Sequence, residues 1–262
     1  ILARRQRQMC IRDRAIGISF FWRCSYHSGP MQLEAPIQHA TLIRRYKRFL
    51  ADVTLANGRE VTAHCPNPGA MTGLAVPGMT VGLLPAANPR AKLPYRWELT
   101  HADGDWVGIN TGRPNKLAEE AILNERIPEL TGYLKLRKEV KYGENSRVDI
   151  VLEKENGDAC YVEVKNVHLR RSADLAEFPD SVTARGAKHL GDLSAVAQGG
   201  ARAVMLFIVQ RNDCTNFALA EEIDPQYADA MRLARTQGVE VLVYGCSVDE
   251  THITVTKPLS YV

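Results

Sequence analysis

Two short segments constrain this chain more than any others. Arg147-Val148-Asp149-Ile150-Val151-Leu152 and Tyr161-Val162-Glu163-Val164-Lys165 both read as buried strands, with Gly157 in the turn between them. Each carries charge inside an apolar run, where a charge is costly unless something pairs with it. The strand period of two puts Glu163 and Lys165 on one face. Asp149 reaches that face from the neighbouring strand of the hairpin. Two carboxylates beside a lysine suit a hard divalent cation and a phosphate, which points to phosphodiester chemistry or nucleic-acid binding. The plainer alternative is a cross-strand ion pair of Asp149 or Glu163 with Lys165 or Arg147 at a sheet edge. Three charges within two apolar strands are expensive for that role alone. A Glu-x-Lys triplet is weak by itself. Glu139-Val140-Lys141 is a second one, but no acid-bearing strand precedes it.

The rest of the chain divides in two. Between residues 41 and 111, Arg48–Leu55 and Arg59–Cys65 flank Asn57-Gly58, a strong hairpin signal. Met79–Leu84, Tyr95–His101 and Trp106–Asn110 complete five short strands with no convincing helix. An OB-like β-barrel over residues 31–112 is the expected architecture, since closure removes sheet edges. From residue 113 the pattern changes. A helix is expected from its N-cap Asn115 to about Ile127, another over 181–197, and a third over 225–237. Strands are expected near 136–142, 147–152, 159–164, 201–210 and 239–244. This alternation makes residues 113–262 a mixed α/β domain, and the whole chain α+β in class.

The formal charge of +3 is set by residues 1–30, whose six arginines and single acid, Asp13, contribute +5 and leave −2 for residues 31–262. That segment ends just before Met31 and reads as a non-native or disordered extension; a signal or transit peptide fits it less well. No stretch approaches the roughly 20 apolar residues that span a membrane. Cys65, Cys160, Cys214 and Cys246 are scattered with no Cys-x-x-Cys, which favours a reduced, cytoplasmic protein over a zinc module or disulfide framework.

Asp149 followed by Glu163-Val164-Lys165, between a helix and a later α-β unit, resembles the core of the PD-(D/E)XK nuclease superfamily. Several phrases narrow this: Ser146-Arg147-Val148-Asp149, Phe178-Pro179-Asp180, Arg185-Gly186-Ala187-Lys188-His189-Leu190, Asp224-Pro225-Gln226-Tyr227-Ala228, and His64-Cys65-Pro66-Asn67-Pro68-Gly69. Together they resemble the sugar fermentation stimulation protein A family from Met31 to Val262. The resemblance implies an N-terminal OB-like domain and a C-terminal nuclease-like domain. It also implies DNA binding without sequence preference and a role in regulating sugar (maltose) metabolism in bacteria. Nuclease activity does not follow automatically, because a fold can be kept while its chemistry is lost.

If the site is active, Asp149 and Glu163 ligate Mg²⁺ (or Mn²⁺) with the Val164 carbonyl as a third oxygen. Lys165 then polarises the attacking water and neutralises charge growing on the phosphate. Glu120 resembles the superfamily's helical acid; Glu119 points about 100° away, so only one of them serves. The alternative for Glu120 is a solvated helical acid. Arg185, Lys188 and His189 lie on the helix after the core strands, where they contact phosphate or form an ordinary basic face. Asp180 caps that helix or, more sharply, ligates metal. Arg44, Arg45, Lys47 and Arg48, interleaved with Tyr46 and Phe49, have the mixture with which OB-like folds hold nucleic acid; the alternative is a charged edge strand. Lys135, Arg137, Lys138 and Lys141 form a second basic stretch and Arg170-Arg171 a third. No recognition helix is evident, which fits non-specific DNA binding. A non-catalytic DNA-binding regulator that reuses the fold is the competing reading.

Overall fold

The computed structural model describes residues 29–88, 90–142 and 146–262. The arginine-rich segment read as an extension, residues 1–30, lies outside the described residues except for Gly29 and Pro30. After β1 (Met31–Gln32) come β2 (Gln38–Tyr46), β3 (Leu50–Leu55), β4 (Glu60–His64), β5 (Thr80–Pro85), β6 (Tyr95–Ala102) and β7 (Asp105–Gly108). The last six are hydrogen-bonded in the order β4-β3-β2-β5-β6-β7, and a parallel pairing of Ala63 with Tyr95 and His64 with Arg96 closes the ring. Strands β2 to β6 therefore form a five-stranded OB barrel around Trp97, Leu42, Val53 and Val81. One of the five expected strands differs. Gln38–Tyr46 enters the ring, while the Trp106–Asn110 segment supplies β7 outside it. A register shift between Leu42 and Arg44 breaks the in–out alternation of β2 and hides it from a period-two reading.

The C-terminal domain is nuclease-like. Its elements are α1 (Pro114–Leu123), β8 (Lys135–Tyr142), β9 (Ser146–Glu153), β10 (Ala159–Val167), β11 (Leu169–Ser172), β12 (Asp174–Phe178), α2 (Ala184–Gln198), β13 (Arg202–Val209), β14 (Cys214–Leu219), α3 (Pro225–Thr236), β15 (Val239–Val248), β16 (His252–Pro258) and β17 (Ser260–Tyr261). A seven-stranded sheet runs β1-β16-β15-β13-β10-β9-β8, and a smaller sheet runs β11-β12-β14-β17. Helix α1 packs Leu117 and Ala121 against Ile150, Val162 and Leu206 on one face. Helices α2 and α3 pack Leu190, Leu193, Tyr227 and Met231 against Met205 and Phe207 on the other. β13 is covered on both faces, which accounts for its unbroken apolar run.

Two helix starts depart from expectation. α1 begins at Pro114 with Arg113 as N-cap and ends at Leu123, short of Ile127, and Asn115 is not its cap. α2 begins at Ala184, where the Thr183 side chain accepts from Gly186 N–H at 3.1 Å, so Asp180 is not its cap either. Asp180 instead accepts from the Met71 amide in the barrel at 3.2 Å and lies 3.3 Å from His168 Nε2.

The domains share a buried polar interface. Glu98 on β6 is fully buried, accepts from Asn110 at 3.1 Å, and pairs with Arg96 at 2.8 Å and with Arg113. Arg113 reaches on to Glu34 at 2.6 Å, tying barrel, α1 and the segment after β1 together. Arg211, 2% exposed, bridges Asp213 at 2.7 Å and Asp103 at 2.8 Å.

Candidate functional site

The site arises where two paired strands part. β9 and β10 are joined by four residue pairs, from Ala159–Glu153 to Val162–Ile150. Beyond Ile150, β9 stays with β8, while β10 stays with β13. Asp149 and Glu163 are the first residues past the last pair, one on each strand. The Val164 N–H, released from the ladder, donates to Asp149 Oδ2 at 2.8 Å. In an extended strand the N–H and C=O of one residue point to the same side, so the Val164 carbonyl is directed to the same opening. Asp149 Oδ1 accepts from the Asn115 side chain at 2.8 Å. Asn115 thus serves this carboxylate from the start of α1.

Glu163 is 2% exposed, and its Oε1 accepts from Lys165 Nζ at 2.7 Å and from His189 Nδ1. Arg185 Nε donates to His189 Nε2 at 3.3 Å, so a neutral His189 carries its proton on Nδ1, facing Glu163. Glu163 Oε2 is buried with no hydrogen-bond partner among the described residues. Burial and then the neighbouring Glu163 charge push Asp149 above the ordinary aspartate range. Burial pushes Glu163 the same way. Hydrogen bonding from His189 and the Lys165 charge outweigh it and hold that carboxyl below the usual range. One carboxylate is thus kept anionic by the Lys165 charge and the His189 hydrogen bond, while its neighbour is charged at a cost.

These groups open into a cleft of about 700 Å³. Arg147, Arg185 and Lys188 line it, with Thr111, Asn115 and Glu139 also on its walls. Among the described residues no group of three or more His, Cys, Asp or Glu side chains could hold a metal ion. The donors that do converge are two carboxylates and a backbone carbonyl, all hard oxygens, and one carboxylate oxygen is buried without a partner. That set fits an ion that keeps several waters, as Mg²⁺ does.

Of the residues singled out in the sequence, Asp149, Glu163, Lys165, Arg185, Lys188 and His189 meet in this cleft. Glu120 does not. It is turned into the molecule, paired with Arg126 at 2.7 Å and accepting from Asn124 at 2.9 Å. α1 presents Asn115 to the site, and Glu119, one turn on, shares that side of the helix and holds Lys138 at 2.9 Å. Lys188 is engaged by Ser146 and by Asp192 at 3.0 Å.

None of the four barrel cations lines the cleft. Arg44 pairs with Asp52 at 2.8 Å and lies 4.9 Å over the Tyr46 ring. Arg45 is structural, donating to the carbonyls of Asn67 at 2.8 Å and Gly69 at 2.9 Å. Lys47 and Arg48 are exposed at the β2–β3 turn, with φ of 49° and 62°. The other basic stretches are largely neutralised: Arg137 by Glu153, Arg170 by Asp103 and Asp213, Arg171 by Glu177 and Glu222.

Asn115, Arg147 and Glu139, whose sequence signals point to a helix cap, an ion-pair partner and a chance triplet, also line the cleft. Glu139 belongs to the triplet set aside above, yet the register of Lys138 with Ile150 and Val140 with Val148 leaves it opposite Asp149. It adopts φ of 52° inside a strand, an uncommon conformation for a residue with a side chain. Arg147 is paired in register with Lys141, and two like charges directly opposite one another repel unless an anion lies between them.

A family model described as the sugar fermentation stimulation protein RE domain matches residues 112–252, and one described as the SfsA N-terminal OB domain matches residues 43–109. The sugar fermentation stimulation protein homolog of Rhodospirillum centenum is 52% identical over 229 residues, covering 87% of this chain and 98% of that protein. That of Maricaulis maris is also 52% identical over 229 residues, covering 87% and 97%. The structure of Pyrococcus furiosus SfsA in complex with Ca²⁺ is 27% identical, with a TM-score of 0.81, and covers 90% of this chain and 100% of that one.

Proposed function

Because the chain belongs to the sugar fermentation stimulation protein family, we propose that its cleft holds a divalent cation against the backbone of DNA, bound without sequence preference, and hydrolyses a phosphodiester bond. The observation that carries this is the pair of carboxylates at the parting of β9 and β10, one with a buried unpartnered oxygen, beside Lys165. Asp149, Glu163 and the Val164 carbonyl hold Mg²⁺ or Mn²⁺. The ion, when bound, supplies positive charge to the scissile phosphate and acidifies water. The Ca²⁺ in the Pyrococcus furiosus protein supports an oxygen-ligand site in this family. Lys165 Nζ orients the attacking water and offsets charge developing on the phosphate. His189 positions Glu163 through its Nδ1 proton. Arg147 and Arg185 hold the phosphates that flank the reacting one. The four described cysteines are free and buried, which supports a reducing, cytoplasmic setting. Among the described residues no helix is long and apolar enough to cross a membrane.

One observation favours a second reading. Both Asp149 oxygens and one Glu163 oxygen already accept hydrogen bonds from the protein, so the site is nearly satisfied without an ion. A DNA-binding regulator of sugar (maltose) metabolism that no longer cuts would look the same.

Asp149→Asn separates a functional carboxylate from a structural ion pair. Asp149 is charged at a cost, since its carboxyl is raised above the ordinary value. The amide removes that cost, and Asn115 can turn its own amide to accept. The variant therefore keeps or gains stability in urea at pH 7, while heat from Mn²⁺ titration disappears. A structural pair gives the reverse, lower stability with cation binding unchanged.

DNA affinity falls steeply with salt, because most contacts are to phosphate. Arg185→Ala lowers the slope of log K against log salt by about one on duplex DNA, equally for unrelated sequences. A change confined to one sequence would mean that Arg185 reads bases.

A further inference from the structure

A second groove, of about 390 Å³, lies on the barrel between β4 and the segment joining β5 to β6, bordered by His64, Lys92, Leu93 and Tyr95. Among the described residues no acidic side chain lines it. His64 is stacked with Phe49, ring centroids 6.5 Å apart and planes 23° apart. Phe49 is nonetheless 47% exposed, which leaves part of its ring open to solvent. Lys47 and Arg48 precede it at the β2–β3 turn, and Lys92 lines the groove, all exposed. Among the described residues none of the three takes part in an ion pair. An open ring edged by free cations is the surface that takes an unpaired base with its phosphates.

The groove is close to the carboxylate cleft. Two residues after His64, the Pro66 carbonyl accepts from Thr111 N–H at 3.1 Å and from its hydroxyl at 3.0 Å, and Thr111 lines the cleft. His64 and Pro66 are at most about 7 Å apart along the chain, so the barrel groove leads towards the Thr111 wall of the cleft. Resting on the reading of the cleft as a DNA site, we infer that barrel and cleft hold one continuous single strand of DNA. Its bases stack on Phe49, and its backbone passes Thr111 to Asp149 and Glu163. The preferred substrate is then single-stranded DNA or an unpaired extension, because a base held in a duplex has no free face to offer Phe49.

The test uses the full chain in EDTA, so that nothing is cut, with fluorescence anisotropy of a labelled oligothymidine, a blunt duplex and an oligouridine. Phe49→Ala weakens oligothymidine binding by about 5- to 100-fold and leaves the blunt duplex within about twofold. Phe49→Tyr restores it, which excludes a folding defect. Lys92→Ala lowers the salt slope for oligothymidine by about 0.7. Oligothymidine affinity unchanged by Phe49→Ala, while Arg185→Ala still weakens binding, overturns this inference and leaves the cleft reading standing. Tighter binding of oligouridine than of oligothymidine overturns the assignment to DNA. No binding of any probe by the unaltered protein overturns both readings together.

Discussion

Lys165→Ala lowers the rate of Mg²⁺-dependent DNA cleavage by on the order of 10²–10⁴-fold, the contribution of a positioned proton-handling group, while Mn²⁺ still binds. The argument rests on the division of labour in the cleft. Lys165 Nζ touches Glu163 Oε1 at 2.7 Å but is no ligand for a cation, so its loss leaves the oxygen donors in place. Glu163→Gln acts on the other half. It removes the anionic charge that His189 and Lys165 stabilise, and both cation binding and cleavage are lost. Labelled single- and double-stranded DNA, incubated with Mg²⁺ or Mn²⁺ and resolved on a gel beside calorimetric Mn²⁺ titrations, measures both. Cleavage that persists in both variants would place the chemistry elsewhere. An unaltered protein that shifts DNA without metal and never cuts it selects the regulator reading.

Glu98→Ala is the most damaging single change expected away from the cleft, costing about 3–5 kcal/mol in urea unfolding. Glu98 is fully buried and holds Arg113, itself 4% exposed, along with Arg96 and Asn110. Removing the carboxylate leaves a buried guanidinium with only the Glu34 carboxylate, which is itself largely exposed. Replacing both partners by apolar residues, Glu98→Leu with Arg113→Met, recovers most of the loss, because the cost lies in the stranded charge rather than in the pair. The same network is acid-sensitive. Hydrogen bonding to Arg113 holds the Glu34 carboxyl down at about 2, against an ordinary value of 4.5. A depressed carboxyl adds stability that is present above 4.5 and is lost as pH falls towards 2. The Glu34 side chain is 55% exposed, so solvent screening keeps that share small. An unfolding midpoint unmoved by Glu98→Ala would mean that the domains are held by something else.

The hairpin was legible because its signals are local. Gly157 marks the turn, β-branched residues mark the strands, and period two fixes which side chains share a face. The departure of β9 from β10 after Ile150 has no such signal, since it depends on β8 and β13 claiming the two strands from outside. Glu139 looks like half of a chance triplet until the register of β8 with β9, set by Lys138–Ile150 and Val140–Val148, brings it level with Asp149. Glu120 differs for another reason: it rests on the resemblance to the superfamily's helical acid, and its partners Arg126 and Asn124, which hold it away from the cleft, carry no signal in the sequence. Arg44 and Arg45 read as a free basic patch because charge is visible in a sequence and its partners, Asp52 and the Asn67–Gly69 carbonyls, are not. In the small sheet, β12–β14 and β14–β17 join segments about 40 residues apart, and the local pair β11–β12 is short and broken by a register shift, so neither kind of pairing shows in the sequence.

β1 pairs with β16, Met31 against Ile253 and Gln32 against His252, although the whole barrel lies between them in sequence. On the ribosome, residues 31 and 32 emerge more than two hundred residues before their partners. The barrel has a core of its own and can form early. The large sheet cannot be finished until nearly the entire chain has been made, and so long a loop makes that last pairing slow. Until then β16 has no neighbour on its outer side, and a chain stalled or cut before residue 252 leaves β15 open to pairing with another molecule. The order of synthesis thus makes the far edge of the sheet, rather than the barrel or the cleft, the place where aggregation of this protein would begin.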